Sequence, residues 1–323
     1  MPNASSHDAP LSVPSYADRV NRLIRRWNPR GLLYSDATCR EAVAKLKSPL
    51  LLDGNNAASQ ALQATERAER EKARRICDAA VHPVLEQPIP SAFRVCSLLP
   101  VTSLISVAMI STKSATAAIL YHIFYQSHSA GTRYCNYADT TRNLDASRMQ
   151  LAYAASTAAA CGIAVGATRL LSRRPSLKLA ALIVPHTAVA CAGAVSTVMN
   201  AEVELREGVA VHDAHGKEVG VSVAAAKQTV SRAVLLHGVV VPACAMLLPV
   251  VAMRAFVAPR LMKRAPHMVW PTASALILGC GFVATPLVSA FVPPVVPLDS
   301  SSLEPELARQ REGEVLYSSR ELY

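Results

Sequence analysis

The residues LAYAASTAAACGIAVGATRLL, Leu151–Leu171, decide the fold class of this chain. The only charged residue in this stretch is Arg169, close to its end. A bilayer core about 30 Å thick is crossed by roughly 20 helical residues. A buried helix of a soluble domain would instead carry a polar face, with a charged residue about every turn. The stretch therefore predicts a transmembrane helix.

Four further apolar stretches repeat this pattern, at residues 95–110, 179–199, 233–253 and 269–292. Hydrophobic residues make up 51% of the chain and charged residues 17%, and the charges are concentrated outside the five stretches. The first stretch is short and contains several hydroxyl side chains, so it is the weakest of the five. This segregation predicts an all-α, multi-span membrane protein with about five transmembrane helices.

The sequence divides into three parts. Residues 1–93 are predicted to be soluble and mostly helical, residues 94–293 to form the membrane domain, and residues 294–323 to form an acidic tail. The apolar run Ala117–Tyr125 is too short to cross a bilayer, so we expect it to lie along the interface or to re-enter the membrane.

The short connections between the predicted spans are basic. The second contains Arg173, Arg174 and Lys178, and the fourth contains Arg254, Arg260, Lys263 and Arg264. With five spans, both lie on the side of the N-terminus, and the tail lies opposite. The positive-inside rule then predicts that the N-terminal region faces the inner compartment. This explains the net charge of +10 without a nucleic-acid partner, since no basic patch interleaved with aromatic residues is present.

Catalytic and metal-binding patterns are weak. The eight cysteines form no CxxC pair, and no nucleophile with a base or metal set recurs at one membrane depth. Met1–Tyr16 lacks the apolar segment of a secretory signal peptide. We therefore predict no enzyme, no cofactor and no metal. The predicted partners are a small substrate and the lipid bilayer, and the sequence leaves an oligomer open.

Several short sequence motifs along the chain resemble those of one known family. They are VATPL at 283–287 with AFVP at 290–293, SLE at 302–304 with EL at 306–307, VAVHDAHG at 209–216, and AAKQ at 225–228. They are similar to the FATPL...ALFP, SLExEL, IPVTDENG and AAKQ motifs of the sideroflexins, a family of mitochondrial inner-membrane proteins. The resemblance extends from about Asn28 to Leu307.

The resemblance implies a mitochondrial inner-membrane protein with its N-terminus on the matrix side and a hairpin in the loop 201–228. It implies transport of a small neutral amino acid, serine first, by alternating access. The alternative is a membrane scaffold or assembly factor for respiratory or iron-handling machinery. Because the family hairpin has no histidines, the cluster of His212, Asp213 and His215 is interpreted as a polar turn and not as a metal site.

The chain also departs from the family motifs. The family's HPDTGE motif is reduced to His82-Pro83, and its NQS motif appears as Tyr125-Gln126-Ser127. An Arg that the family has early in the fourth span falls near His237. An Arg expected soon after the third span is replaced by Ala201 or Val203. These departures leave the substrate open.

Eight residues are candidates for the substrate pathway, and each also has a structural interpretation. His82 and Pro83 fit a turn before the first span as well as a substrate contact. Buried histidines and helix-breaking prolines in a membrane are typical of function, but they also occur in inert helices. The candidates are His82, Pro83, Gln126, Ser127, His186, His237, Thr285 and Pro286.

Overall fold

The computed structural model describes residues 13–49, 57–112, 114–136, 146–173, 183–311 and 313–319. The protein is all-α with one small sheet, as predicted. The helices are α1 Tyr16–Arg26, α2 Asp36–Lys47, α3 Ala57–Ala80, α4 Leu98–Ser111, α5 Ala115–Asn136, α6 Ala146–Ser172, α7 Val184–Asn200, α8 Glu202–Glu207, α9 Val223–Arg264, α10 Val269–Ser289 and α11 Pro305–Gln310. The strands are β1 Val209–His212, β2 Glu218–Ser222, β3 Val295–Asp299 and β4 Val315–Ser319.

Three helices within the described residues are long and apolar enough to cross a membrane, namely Ser147–Leu171, Val223–Arg264 and Pro266–Ser289. The apolar helix Val95–Ser111 is shorter. Helix α7 is 17 residues long, and all but its last residue, Asn200, fall in the predicted third span, whose first residues, 179–182, lie outside the described part. The predicted set of about five similar spans is therefore supported only in part.

Helix α5 is a continuous helix of 22 residues packed between α4 and α6, and it does not end with its apolar run. At about 1.5 Å per residue it is roughly 33 Å long. Four of its polar side chains are buried in the bundle interior, and three of its large apolar side chains are exposed. The buried ones are His122, Gln126, Thr132 and Asn136, and the exposed ones are Leu120, Phe124 and Tyr134. This inverted polarity suits a helix whose surroundings are lipid.

Successive helices of the bundle run in opposite directions. In the α5–α6 pair, Ser127 bonds Tyr153 and the Cys161 thiol lies against the Ile119 carbonyl, so one helix ascends as the other descends. Helices α7 and α9 are antiparallel too, since Gly193 lies beside Gly238 and His186 contacts the backbone of Pro242. With α5 included, the bundle within the described residues contains six helices, α4, α5, α6, α7, α9 and α10.

Both terminal regions consequently lie at one end of the bundle. Tyr16 donates a hydrogen bond of 2.8 Å to the Leu287 carbonyl, and Arg19 donates one of 2.7 Å to the Ala290 carbonyl, both at the C-terminal end of α10. Arg173 and the basic end of α9 lie at the opposite end, whereas Arg174 and Lys178 fall outside the described residues. The sequence predicted the N-terminus on the same side as these basic connections, whereas in the bundle they lie at opposite ends, because α5 adds a helix to the five predicted spans. The side of the membrane that each end faces stays a prediction.

A four-stranded antiparallel sheet lies at the same end as the N-terminal helices, with strand order β2-β1-β4-β3. The hairpin β1–β2 comes from the loop between α8 and α9, and β3 and β4 come from the residues predicted as an acidic tail. Val211, Leu298 and Leu316 form its fully buried centre. Glu304 connects this unit to the membrane helices, since its carboxylate accepts backbone hydrogen bonds from the first turn of α9, at 2.8 and 2.9 Å.

The N-terminal helices are joined to the bundle by a buried arginine. Arg94 is 1% exposed and donates hydrogen bonds of 2.8 Å to the carbonyls of Ile89 and Tyr34, and a further one to the carbonyl of Gly31. A buried guanidinium must have its donors satisfied, since an unpaired buried charge is costly. Arg94 therefore fixes the N-terminal region against the start of α4.

Candidate functional site

A cavity of about 190 Å³ lies within the helix bundle, toward the end that carries the N-terminal helices and the sheet. Helices α4, α5, α6, α7, α9 and α10 all contribute to its wall. Its volume is several times the ~30 Å³ that one water occupies, and below the ~300–1,000 Å³ of sites for drug-sized ligands. The cavity therefore has the size for a small metabolite.

Small residues and a proline shape this cavity. A Cβ atom placed on Gly281 of α10 would lie 2.9 Å from a methyl group of Leu99, so a larger residue here would displace the Leu99 side chain of α4. Pro242 lies in the wall, and π-helical turns at Val234–Val240 and Ala243–Leu247 flank it. Proline cannot donate to the preceding turn, and π-helical turns often mark functional sites in helices. Helix α9 is thus irregular where it meets the cavity.

Three of the eight candidates, Gln126, His237 and Thr285, line the cavity together although they come from three different helices. Gln126 is 6% exposed and Thr285 is 3% exposed. The Thr285 hydroxyl has no hydrogen-bond partner among the described residues, and the same holds for Thr132 in the same wall. Buried hydroxyl groups are normally bonded, so these two are available to a ligand.

Three other candidates lie just behind the wall. The Ser127 hydroxyl is 2.8 Å from the Tyr153 hydroxyl, and Tyr153 lines the cavity. His186 is buried against the backbone of Pro242. Pro286 directly follows Thr285 and is buried within α10 without reaching the cavity. These residues support the wall and do not form it.

His82 and Pro83 lie outside the bundle, in a turn after α3. The Nδ1 atom of His82 accepts hydrogen bonds from the backbone N–H groups of Val84 and Leu85, at 3.2 and 3.1 Å. Neither residue is part of the cavity wall. The geometry agrees with the structural interpretation of His82-Pro83, which is a turn that leads to the first apolar helix.

The sequence also predicted a polar turn at residues 212–215, and the hairpin has this form. The Asp213 carboxylate accepts hydrogen bonds from the backbone N–H groups of His215 and Lys217, at 2.9 and 3.0 Å. The backbone hydrogen bond from Lys217 is the main reason that the Asp213 pKa is held below its ordinary value. Within the described residues, no group of three His, Cys, Asp or Glu side chains could hold a metal ion.

Sequence reasoning missed Arg133, which is the only Lys, Arg, Asp or Glu in the cavity wall among the described residues. Its guanidinium donates a hydrogen bond of 2.8 Å to the Ser196 hydroxyl across the α5–α7 interface, and it acts electrostatically on His237. A cation thus lies beside the position where the family resemblance expected an Arg. The missing signal was the continuity of α5, since Arg133 appeared to lie in a loop.

With this geometry established, the chain was compared with known proteins. A family model described as Sideroflexins matches residues 9–321. The chain belongs to the sideroflexin family. The family membership predicted from short sequence motifs is therefore confirmed over nearly the whole chain.

Among its relatives, this sideroflexin is 28% identical to Sideroflexin-5 of Rattus norvegicus over 309 residues, which cover 91% of this chain and 85% of the relative. It is 27% identical to Sideroflexin-1 of Ovis aries over 316 residues, covering 96% and 94% of the two chains. Human Sideroflexin-3 is 28% identical over 240 residues, 74% of each chain. No solved structure shows a significant match.

Proposed function

We propose that this sideroflexin is a carrier of a small neutral amino acid, with serine as the first substrate, in the mitochondrial inner membrane. Membership of the family supports a transport function in general. The observation that carries the proposal is the cavity inside the bundle, whose wall combines Gln126, His237 and the unpartnered Thr285 hydroxyl. Polar groups at membrane depth are costly and typically mark a substrate path.

The chemistry of the wall supports a small polar substrate. Its neutral polar groups are mostly hydroxyls and amides, which suit a hydroxylated amino acid better than an apolar one. Carriers commonly hold their substrate at irregular helices near the middle of the bundle, and α9 is irregular beside Pro242. Movement of helices about the cavity would open it to either side in turn, which is the alternating-access mechanism.

The helix arrangement also bears on orientation. Applied to the observed ends, the positive-inside rule favours the matrix for the end that contains Arg254, Arg260, Lys263 and Arg264. The N-terminal helices and the sheet then face the other compartment, the reverse of the predicted orientation. Protease digestion of mitochondria whose outer membrane has been ruptured tests this. We expect an N-terminal epitope tag to be cleaved, and a tag that stays protected would contradict the orientation.

Thr285 provides the sharpest test of transport. Thr285→Val keeps the shape of the side chain and removes a hydroxyl that has no partner, so protein stability should be unchanged or slightly higher. Uptake of labelled serine into liposomes containing the purified protein should fall about tenfold if the hydroxyl binds substrate. Thr272→Val, in the same helix but outside the cavity wall, is the matched control.

The outcomes separate the two functions considered from the sequence. Protein-dependent uptake that falls in Thr285→Val and persists in Thr272→Val supports a carrier with this cavity as its site. If the folded wild-type protein moves neither serine nor other small neutral amino acids, the carrier proposal fails and the scaffold function is favoured. Wild-type uptake in Thr285→Val would remove this hydroxyl from the pathway.

A further inference from the structure

We infer that Arg133 is the residue that binds the substrate's carboxylate, so that the cavity selects ligands by a free carboxylate. This inference rests on the proposed function, because it deepens the chemistry of the same cavity. It names a specificity-determining residue that lies on α5, outside every predicted span. The argument depends on the charge balance of the wall, the position of the guanidinium and the groups that remain unpaired.

The first step is charge. Among the described residues, the cavity wall contains one permanently charged group, the Arg133 guanidinium, and no Asp or Glu. A buried or partly buried cation without a counter-ion is unfavourable, and a bound anion relieves that cost. The described wall by itself is therefore electrostatically unbalanced, and a ligand carboxylate would restore the balance.

The second step is geometry. One guanidinium nitrogen of Arg133 is fixed by its 2.8 Å hydrogen bond to the Ser196 hydroxyl, and no acidic side chain among the described residues forms an ion pair with it. Arginine has five N–H donors in a planar fork that matches both oxygens of a carboxylate. A donor set held in place by Ser196 still leaves N–H groups for a ligand, and the loss of side-chain entropy on binding is reduced.

The third step concerns the neutral polar groups of the wall. Among the described residues, the buried hydroxyls of Thr132 on α5 and Thr285 on α10 lack partners, and Gln126 contributes an amide. None of these groups carries a charge, so they can bind a hydroxyl or an ammonium group but cannot compete with Arg133 for a carboxylate. The wall thus combines one anion-binding guanidinium with several neutral hydrogen-bonding groups.

The bond between Arg133 and Ser196 also connects the site to helix movement. Arg133 lies on α5 and Ser196 on α7, so separation of these helices removes one of the groups that orient the guanidinium. A carboxylate held by a positioned guanidinium would be bound less tightly after such a separation. Ser196 is accordingly a positioning residue, and it acts through Arg133.

Ligand pairs that differ at one end test the inference. L-Serine, N-acetyl-L-serine, which retains the carboxylate, and L-serinamide, which does not, are assayed as competitors of labelled serine uptake by the full chain in liposomes. We expect N-acetyl-L-serine to compete and L-serinamide to compete at least tenfold less well. Equal competition by the two would overturn the inference.

Variants at Arg133 test the same preference for a free carboxylate. Arg133→Gln should raise KM for serine by about tenfold or more, because a charge-assisted bond is lost, and it should abolish the preference for the free carboxylate. Arg133→Lys keeps the charge without the fork and should fall between wild type and Arg133→Gln. Arg232→Gln, which changes an exposed arginine of α9 outside the cavity wall, should keep wild-type KM.

A second readout separates this inference from the proposed function. The thermal unfolding midpoint of purified protein in detergent is measured with each of the three ligands. Stabilisation by the two carboxylate-bearing ligands that is lost in Arg133→Gln supports the inference even if no uptake is found. If Arg133→Gln does not fold, Ser196→Ala replaces it and should raise KM severalfold with kcat unchanged. Unchanged ligand preference in the folded variant overturns the role of Arg133.

Discussion

The helix bundle and the four-stranded sheet follow opposite packing rules within one chain. The sheet buries large apolar side chains such as Leu298 and Leu316. The bundle buries Gln126 and Thr285 and exposes Leu235 and Phe124, the latter two at 60%. Water forces apolar groups inward around the sheet, whereas lipid provides no such force and favours polar groups inside. The same type of side chain therefore contributes differently to the free energy of unfolding in the two regions.

The largest contrast concerns leucine truncation. Leu316→Ala removes a side chain with 0% exposure from the centre of the sheet and should cost about 2–5 kcal/mol of unfolding free energy. Leu235→Ala removes the same atoms from the outer surface of α9 and should cost no more than about 0.5 kcal/mol. Denaturant unfolding of the two purified variants in detergent measures both. Similar losses in the two regions would contradict opposite packing rules.

The second contrast concerns the addition of a side chain. Gly281→Leu forces atoms into contact with Leu99 and into the cavity, so it should cost about 1–3 kcal/mol and abolish uptake. Gly279→Leu, two residues away on the same helix, has nothing within 4 Å of the added Cβ and should be tolerated. Thermal unfolding and liposome uptake are measured on both. Tolerance of leucine at position 281 would mean that α4 and α10 are not held together by this contact.

The sequence predicted the membrane class and the family because both depend on local features. Apolar stretches such as Leu151–Leu171 directly indicate a lipid environment, and the short motif around Thr285-Pro286 is contiguous in the chain. Gln126, His237 and Thr285, which line the cavity together, were also selected as candidates from the sequence, since polar or ionisable residues inside or beside an apolar stretch are conspicuous. Each of these signals is read from one segment at a time.

What the sequence did not reveal depends on neighbours. Helix α5 hides its polar face against α4 and α6, so its composition resembles a loop after residue 125, and Arg133 was overlooked. The additional helix α5 also places the N-terminal helices and the basic connections at opposite ends of the bundle, where five spans alone would place them together. The sheet was only half expected, because β4 pairs with β1 of a hairpin distant in the chain, and β3 joins the sheet only through β4. Pairing across such distances leaves no periodicity in either segment.

Glu304 joins the two regions, and it provides the smallest expected effect. Burial acts to raise the pKa of its carboxyl, but hydrogen bonds from Ser222 and from the backbone N–H groups of Ala224 and Val223 outweigh burial, so the pKa is below its ordinary value of 4.5. The negative charge also lies at the N-terminus of α9, where the helix dipole favours it. The stabilisation is present above the unfolded-state pKa and is lost as pH falls through the lower folded-state pKa.

Glu304→Gln should therefore lower stability by about 0.5–1 kcal/mol at pH 7, because a charged acceptor becomes a neutral one. The difference from wild type should shrink as pH falls below 4.5, when the wild-type carboxyl takes up a proton. Glu306→Gln, an exposed neighbour, is the control and should behave as wild type at both pH values. A difference that persists unchanged in acid would show that the shape of the Glu304 side chain, and not its charge, holds the sheet against the membrane helices.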